Sequence, residues 1–94
     1  MRVAATISVK TQGGDRPDRK KLEEAAKLLA QNGFDIVRIG RFGVSVNAEQ
    51  HNFAQVLGVD ARPDKAMATQ AKPSQPELRE LIDQIEVAPK AQLY

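Results

Sequence analysis

The sequence has no cysteine and no tryptophan, and only 4% of its 94 residues are aromatic. Without thiols the chain can form neither a disulfide nor a thiolate metal site, and its redox compartment cannot be inferred from cysteine usage. No apolar run approaches the length of a membrane span, and the first ten residues lack the apolar core of a signal peptide. We therefore expect one soluble domain in the cytoplasm that makes no contact with a membrane.

The charges nearly cancel, since 14 Lys and Arg residues stand against 12 Asp and Glu residues, a formal net charge of +2. A balance of this size does not by itself indicate a nucleic acid or an anionic membrane as partner. A domain of this length buries only a modest core. Binding of a partner can therefore add appreciably to its stability.

No group of residues in the sequence indicates catalysis. His51 is the only histidine, so a metal site would have to combine one imidazole with carboxylates, and a surface polar role is the favoured interpretation. The carboxylates are explained by helix pairs, caps and loop solvation, and no serine has the context of a nucleophile elbow. We predict a protein that is not an enzyme and that needs no metal or cofactor.

Apolar periodicity predicts the first two elements. Near the N-terminus, apolar residues alternate with small or polar ones, which is typical of a strand with one buried face; the apolar set is Val3, Ala5, Ile7 and Val9. The next apolar set has the i, i+3, i+4, i+7 spacing of one helical face; it consists of Leu22, Ala25, Ala26 and Leu29. Asn32 and Gly33 then provide a helix stop.

Residues 34–59 predict a strand, a turn at 40–43, a second strand and a short helix that Asn47 caps. After a polar segment, a second capping box at Ser74 and Glu77 predicts a third helix. Its apolar stripe is Leu78, Leu81, Ile82 and Ile85. Two stretches remain as alternatives for a fourth strand, namely 65–70 and 85–88.

This order of elements predicts an α+β fold, a ferredoxin-like βαββαβ sandwich. We expect an antiparallel sheet with helices on one face, an extra C-terminal helix and an extended tail; residues 1–89 form the domain and 90–94 the tail. The uncovered sheet face is a candidate surface for docking another protein, although such faces are often simply solvated. Its predicted residues are Ala4, Thr6, Ser8, Arg38 and Ser45.

The basic hairpin permits an RNA-binding alternative. RNA-recognition domains share this element order and carry base-stacking aromatics on the third strand. Here Val44 and Val46 occupy those positions, and Phe42 lies in the turn. Arg38 and Arg41 leave weak RNA binding as a minor alternative, and nucleic acid is not the partner we expect.

The last residues, Ala91, Gln92, Leu93 and Tyr94, have no periodicity. A terminal Tyr with an Ala three residues before it suits an extended peptide in a cleft, where main-chain pairing supplies affinity and side-chain pockets supply selectivity. The alternative is that this tail folds back on the core or frays.

Taken together, these features resemble the propeptide domains of subtilisin-like and sedolisin-like serine peptidases. The resemblance covers nearly the whole chain as a pattern of apolar and glycine positions. It is carried by the first strand, the helix end, the hairpin, the short helix and the capped segment after the loop, at residues 3–10, 28–34, 36–46, 53–59 and 75–82.

The resemblance implies a peptidase inhibitor, a folding chaperone of the peptidase, or both. The open sheet face would dock on the enzyme, and the tail would lie in the substrate cleft as a product-like peptide. Tyr94 would then fill the first specificity pocket and Ala91 the fourth, with Gln92 and Leu93 between them. The sequence shows no catalytic domain, so we expect an excised propeptide or an intracellular stand-alone relative. The alternative is a non-catalytic module for protein interaction or assembly.

Overall fold

The computed structural model describes residues 2–11, 17–62 and 66–87. These residues form five strands and three helices, so the predicted α+β class is confirmed. In chain order the elements are β1 (Arg2–Val9), α1 (Arg19–Gln31), β2 (Asp35–Ile39), β3 (Gly43–Glu49), α2 (Gln50–Leu57), β4 (Met67–Gln70), α3 (Pro76–Leu81) and β5 (Ile82–Val87).

The strands make one sheet in the order β2-β3-β1-β5-β4, and every neighbouring pair is antiparallel. Strand β1 lies in the middle and pairs with β3 from Arg2 opposite Glu49 to Ser8 opposite Gly43. Its odd-numbered residues are buried, as the alternation predicts. The remaining side chains of β1 therefore point to the other side of the sheet.

The core lies between the sheet and the helices. The predicted apolar face of α1 is buried together with inward residues of β1, β3 and β5 in one cluster. Phe34, just before β2, meets Phe53 of α2 edge to face, with ring centroids 5.1 Å apart. Both rings are buried, and edge-to-face contact is a favoured geometry for aromatic pairs. This contact ties the end of α1 to α2.

Two glycines end the longer helices. Gly33 follows α1 with φ +91°, and Gly58 caps α2 in the left-handed conformation with φ +64°. These values suit residues without a Cβ atom. The side-chain amide of Asn32 also donates to the carbonyl of Leu28 at 2.7 Å, which satisfies one of the last carbonyls of α1. The predicted helix stop at Asn32 and Gly33 is therefore confirmed.

The predicted third helix is wrong in its second half. The helix α3 ends at Leu81, and Ile82 and Ile85 belong to β5, so α3 precedes the last strand and is not a C-terminal helix. A register shift explains the error: Ile7 pairs with Ile85, but Val9 pairs with Ile82. The extra residue in β5 separates two inward side chains by three positions instead of two, which imitates the spacing of a helix.

Both alternatives for the fourth strand contain strand residues, since β4 covers 67–70 of the first stretch and β5 covers 85–87 of the second. Lys65 and Ala88 lie outside the described residues.

The predicted caps are wrong. Asn47 lies within β3, and Glu49 occupies the position before α2. Gln75, not Ser74, precedes α3, while the hydroxyl of Ser74 donates to the carbonyl of Gln55 at 3.4 Å.

Residues 88–94 lie outside the described residues, and with them the predicted tail and the domain limit at 89.

We expect Phe34→Ala to lower the free energy of unfolding by about 3–5 kcal/mol, the usual cost of removing a buried aromatic ring. Urea denaturation measures the loss. The matched control is Phe42→Ala, because Phe42 is 58% exposed and its loss should cost no more than about 0.5 kcal/mol. Equal losses for the two variants would contradict the packing described above.

Candidate docking face

The uncovered side of the sheet is built by the even-numbered residues of β1 and their partners on the neighbouring strands. One row crosses all five strands, and adjacent members are paired in register. From β2 to β4 it consists of Arg38, Ser45, Thr6, Glu86 and Ala68. Since neighbouring strands lie about 4.8 Å apart, this row spans roughly 19 Å.

A second row lies beside the first and includes Ala4, Asn47 and Asp35. Ser8 lies on the other side of the first row, opposite Gly43. The structure therefore brings all five residues predicted for docking onto one face, which we call the open face. Sequence reasoning missed Asn47, Glu86 and Ala68. The alternation of apolar and polar residues in β3 indicated that Asn47 lies on the same face as Ser45. The positions of Glu86 and Ala68 depend on the bulged register of β5, which the sequence does not reveal.

The centre of the open face carries only short side chains. Ala4 and Thr6 are exposed, and Ser8 and Ser45 are half-buried. No aromatic ring from the described residues projects from the strands of this face: Phe34 and Phe53 are in the core, and Phe42 lies in the turn after β2. Val44 and Val46 are buried on the helix side. The face can therefore approach a partner's backbone closely but offers no platform for stacking bases.

Positive and negative charges lie at different sides of the open face. Arg2 and Asp35 form an ion pair whose side chains are about half to two-thirds exposed, so the pair contributes little to stability but neutralises Asp35. Arg38 on β2 and Glu86 on β5 make no ion pair with any other described residue. A positive charge thus remains toward the β2 edge, and a negative charge remains on the β5 side.

Gly43 keeps the hairpin end of the face close to β1. A Cβ atom on Gly43 would lie 2.3 Å from the carbonyl oxygen of Ile7, which is backbone and cannot easily move. The hairpin closes through a hydrogen bond from the Gly40 amide to the Gly43 carbonyl at 2.8 Å, and the Val9 amide donates to the Phe42 carbonyl at 3.0 Å. The glycine therefore permits the pairing of β3 with β1 at this end.

The described residues contain no group of three or more His, Cys, Asp or Glu side chains placed to hold a metal ion. His51 is exposed on α2. In the same part of the chain, no helix is both long and apolar enough to cross a membrane. The predictions that the protein is not an enzyme and binds no cofactor remain predictions.

No protein-family model, curated protein or solved structure matches this chain.

We expect Gly43→Ala to lower the free energy of unfolding by about 1–3 kcal/mol, because the new methyl group must displace backbone atoms of β1. The matched control is Gly40→Ala in the same turn, where the nearest atom to the added Cβ is 3.4 Å away. Chemical denaturation of both variants measures the difference. A Gly43→Ala protein as stable as the control would contradict the close pairing of β3 with β1.

Proposed function

We propose that the protein is a propeptide-like inhibitor, or folding chaperone, of a subtilisin-like serine peptidase. In this proposal the open face docks on the enzyme and residues 91–94 occupy the substrate cleft. The observation that carries it is the centre of the open face, where four short side chains lie on adjacent strands. They are Ala4, Thr6, Ser8 and Ser45. A partner's helix or strand can lie on such a surface without displacing large side chains.

The strand order supports the same proposal. Without β4, the order is β2-β3-β1-β5, which is the order of a ferredoxin-like sheet built from two split βαβ units. We interpret β4 as an added edge strand in the connection between α2 and the last strand. This ferredoxin-like interpretation agrees with the fold that the sequence resemblance implies.

The path of the chain also supports it. Strand β5 ends at Val87, which pairs with Ala5 of the central strand and with Met67 of β4. The last described position therefore lies on a strand next to the central one. Seven residues follow, and an extended segment of that length reaches roughly 24 Å at most. A tail of this reach can enter a cleft beside a docked face, and docking raises its effective concentration there.

A protein-interaction or assembly module is the second candidate function. The row from Arg38 to Ala68 favours it, because this surface exists whether or not the tail takes part in binding. The two functions differ in whether residues 91–94 are needed.

Deletion of Leu93 and Tyr94 is expected to weaken inhibition of a subtilisin-type peptidase by at least about tenfold, because the tail and the face bind the same enzyme together. Progress curves at increasing inhibitor concentration measure the change. The control is Lys90→Ala, which changes the first tail residue but keeps residues 91–94, the ones proposed to occupy the cleft. Equal and negligible inhibition by the intact and shortened chains would reject the peptidase proposal. Binding of a partner protein that persists after Leu93 and Tyr94 are deleted would favour the interaction module.

Thr6→Arg tests the open face separately. Thr6 is exposed at the centre of the sheet, so a long charged side chain there should keep the fold but hold a partner's backbone away and weaken inhibition at least about tenfold. The control is Ala30→Arg, which adds the same side chain at an exposed position of α1. If the two variants inhibit equally well, the open face is not the docking surface.

A further inference from the structure

A cleft lies at one corner of the molecule, beside the open face, and shares Arg38 with it. It has a volume of about 710 Å³ and separates the start of α1 from the end of β2 and its turn. Its lining includes three apolar side chains, of which Pro17 and Leu22 are buried and Ile39 is half-buried. Arginine residues form much of the rim. They are Arg19, Arg38 and Arg41.

The charge of this rim is largely uncompensated. Arg38 and Arg41 make no hydrogen bond or ion pair with any described residue. Arg19 pairs with Glu23 at 3.3 Å, but both side chains are mostly exposed, so solvent screens the pair. Asp18 is the one carboxylate among the described residues that line the cleft. A chain with a net charge of only +2 thus concentrates positive charge at this corner.

Helix stability does not account for the cluster. The first turn of α1 carries Arg19, Lys20 and Lys21 and has no acidic residue. Cations at this end of a helix oppose the helix dipole. The two lysines add further positive charge to this end of α1.

Two exposed apolar side chains are sequence neighbours of Arg38 and Arg41 but do not line the cleft itself. Val37 is 61% exposed and Phe42 is 58% exposed, and they are the large hydrophobic side chains found exposed in the described chain. They bracket the segment that holds Arg38 and Arg41. Aromatic and arginine residues are among those that contribute most to protein interfaces.

We propose that this corner binds an acidic segment of a partner protein that carries apolar side chains next to its carboxylates. Each guanidinium can donate two parallel hydrogen bonds to a carboxylate. Val37 and Phe42 contact the apolar side chains of the same segment. A single-stranded nucleic acid fits less well, because Phe42 is the one aromatic ring exposed among the described residues, and binding of bases requires successive stacking partners.

The test uses the full 94-residue chain and a fluorescein-labelled hexapeptide of alternating Glu and Leu as probe. A peptide with Gln in place of Glu keeps the apolar groups and removes the charge. Fluorescence anisotropy should show that the Glu peptide binds more tightly. Its binding should weaken with added salt, since the screening length falls from about 10 Å at 0.1 M to about 3 Å at 1 M.

Charge-neutralising variants locate the site. The double variant R38Q/R41Q should weaken binding of the Glu peptide by roughly tenfold. The matched control is Lys27→Gln, which removes an exposed cation elsewhere on α1 and should leave binding unchanged. In ¹H–¹⁵N NMR spectra the peptide should shift the amide signals of residues 37–42 and 18–22. Circular dichroism checks that each variant is folded.

Equal binding of the Glu and Gln peptides, or undiminished binding by the double variant, would overturn the proposal. So would tighter binding of a ten-residue oligouridine that is lost in Phe42→Ser, which would assign the corner to nucleic acid. The site shares Arg38 with the open face but does not need the C-terminal residues. A chain without residues 91–94 should therefore bind the Glu peptide normally, even if the intact chain inhibits no peptidase.

Discussion

The position of β1 in the middle of the sheet is the constraint on which the core and the open face both depend. Its residues Val3, Ala5, Ile7 and Val9 are buried against the helices, and the residues between them line the opposite face. A slip of one residue in its pairing with β3 would exchange the two sets. Gly43 supports the observed register because only a residue without a side chain fits against Ile7. The same pairing therefore defines both the interior and the surface that we propose for docking.

Local patterns were sufficient to predict the first half of the fold. Strand β1, helix α1 and the β2–β3 hairpin have their apolar residues at regular intervals, and their turns contain glycines where the backbone needs them. The second half was predicted less well because its spacing depends on a partner strand. Ile82 and Ile85 are three residues apart in β5 only because of the bulge opposite β1. No periodicity within the segment itself distinguishes this arrangement from a helix.

The candidate docking face was likewise predictable where it depends on local sequence patterns and not where it depends on strand pairing. Ala4, Thr6 and Ser8 follow from the alternation within one strand, and Arg38 and Ser45 from the adjacent hairpin. Glu86 and Ala68 complete the same row, but their places depend on which strands become neighbours in the sheet. The corner cleft joins the start of α1 to Arg38 and Arg41, residues about twenty positions apart in the sequence. Composition gave no sign of it, because a net charge of +2 hides the local separation of charges.

The separation of charges also makes the two sides of the open face different. Arg38 belongs both to the row across the sheet and to the rim of the corner cleft, while Glu86 lies on the far side of the central strand. The central side chains are short and uncharged, so they do little to orient a partner. A partner on the open face would therefore be oriented by its charges, with an acidic region toward the hairpin and a basic region toward β5. In the proposed inhibitor, residues 91–94 follow β5 in the chain, so this orientation would set the part of the partner that they reach.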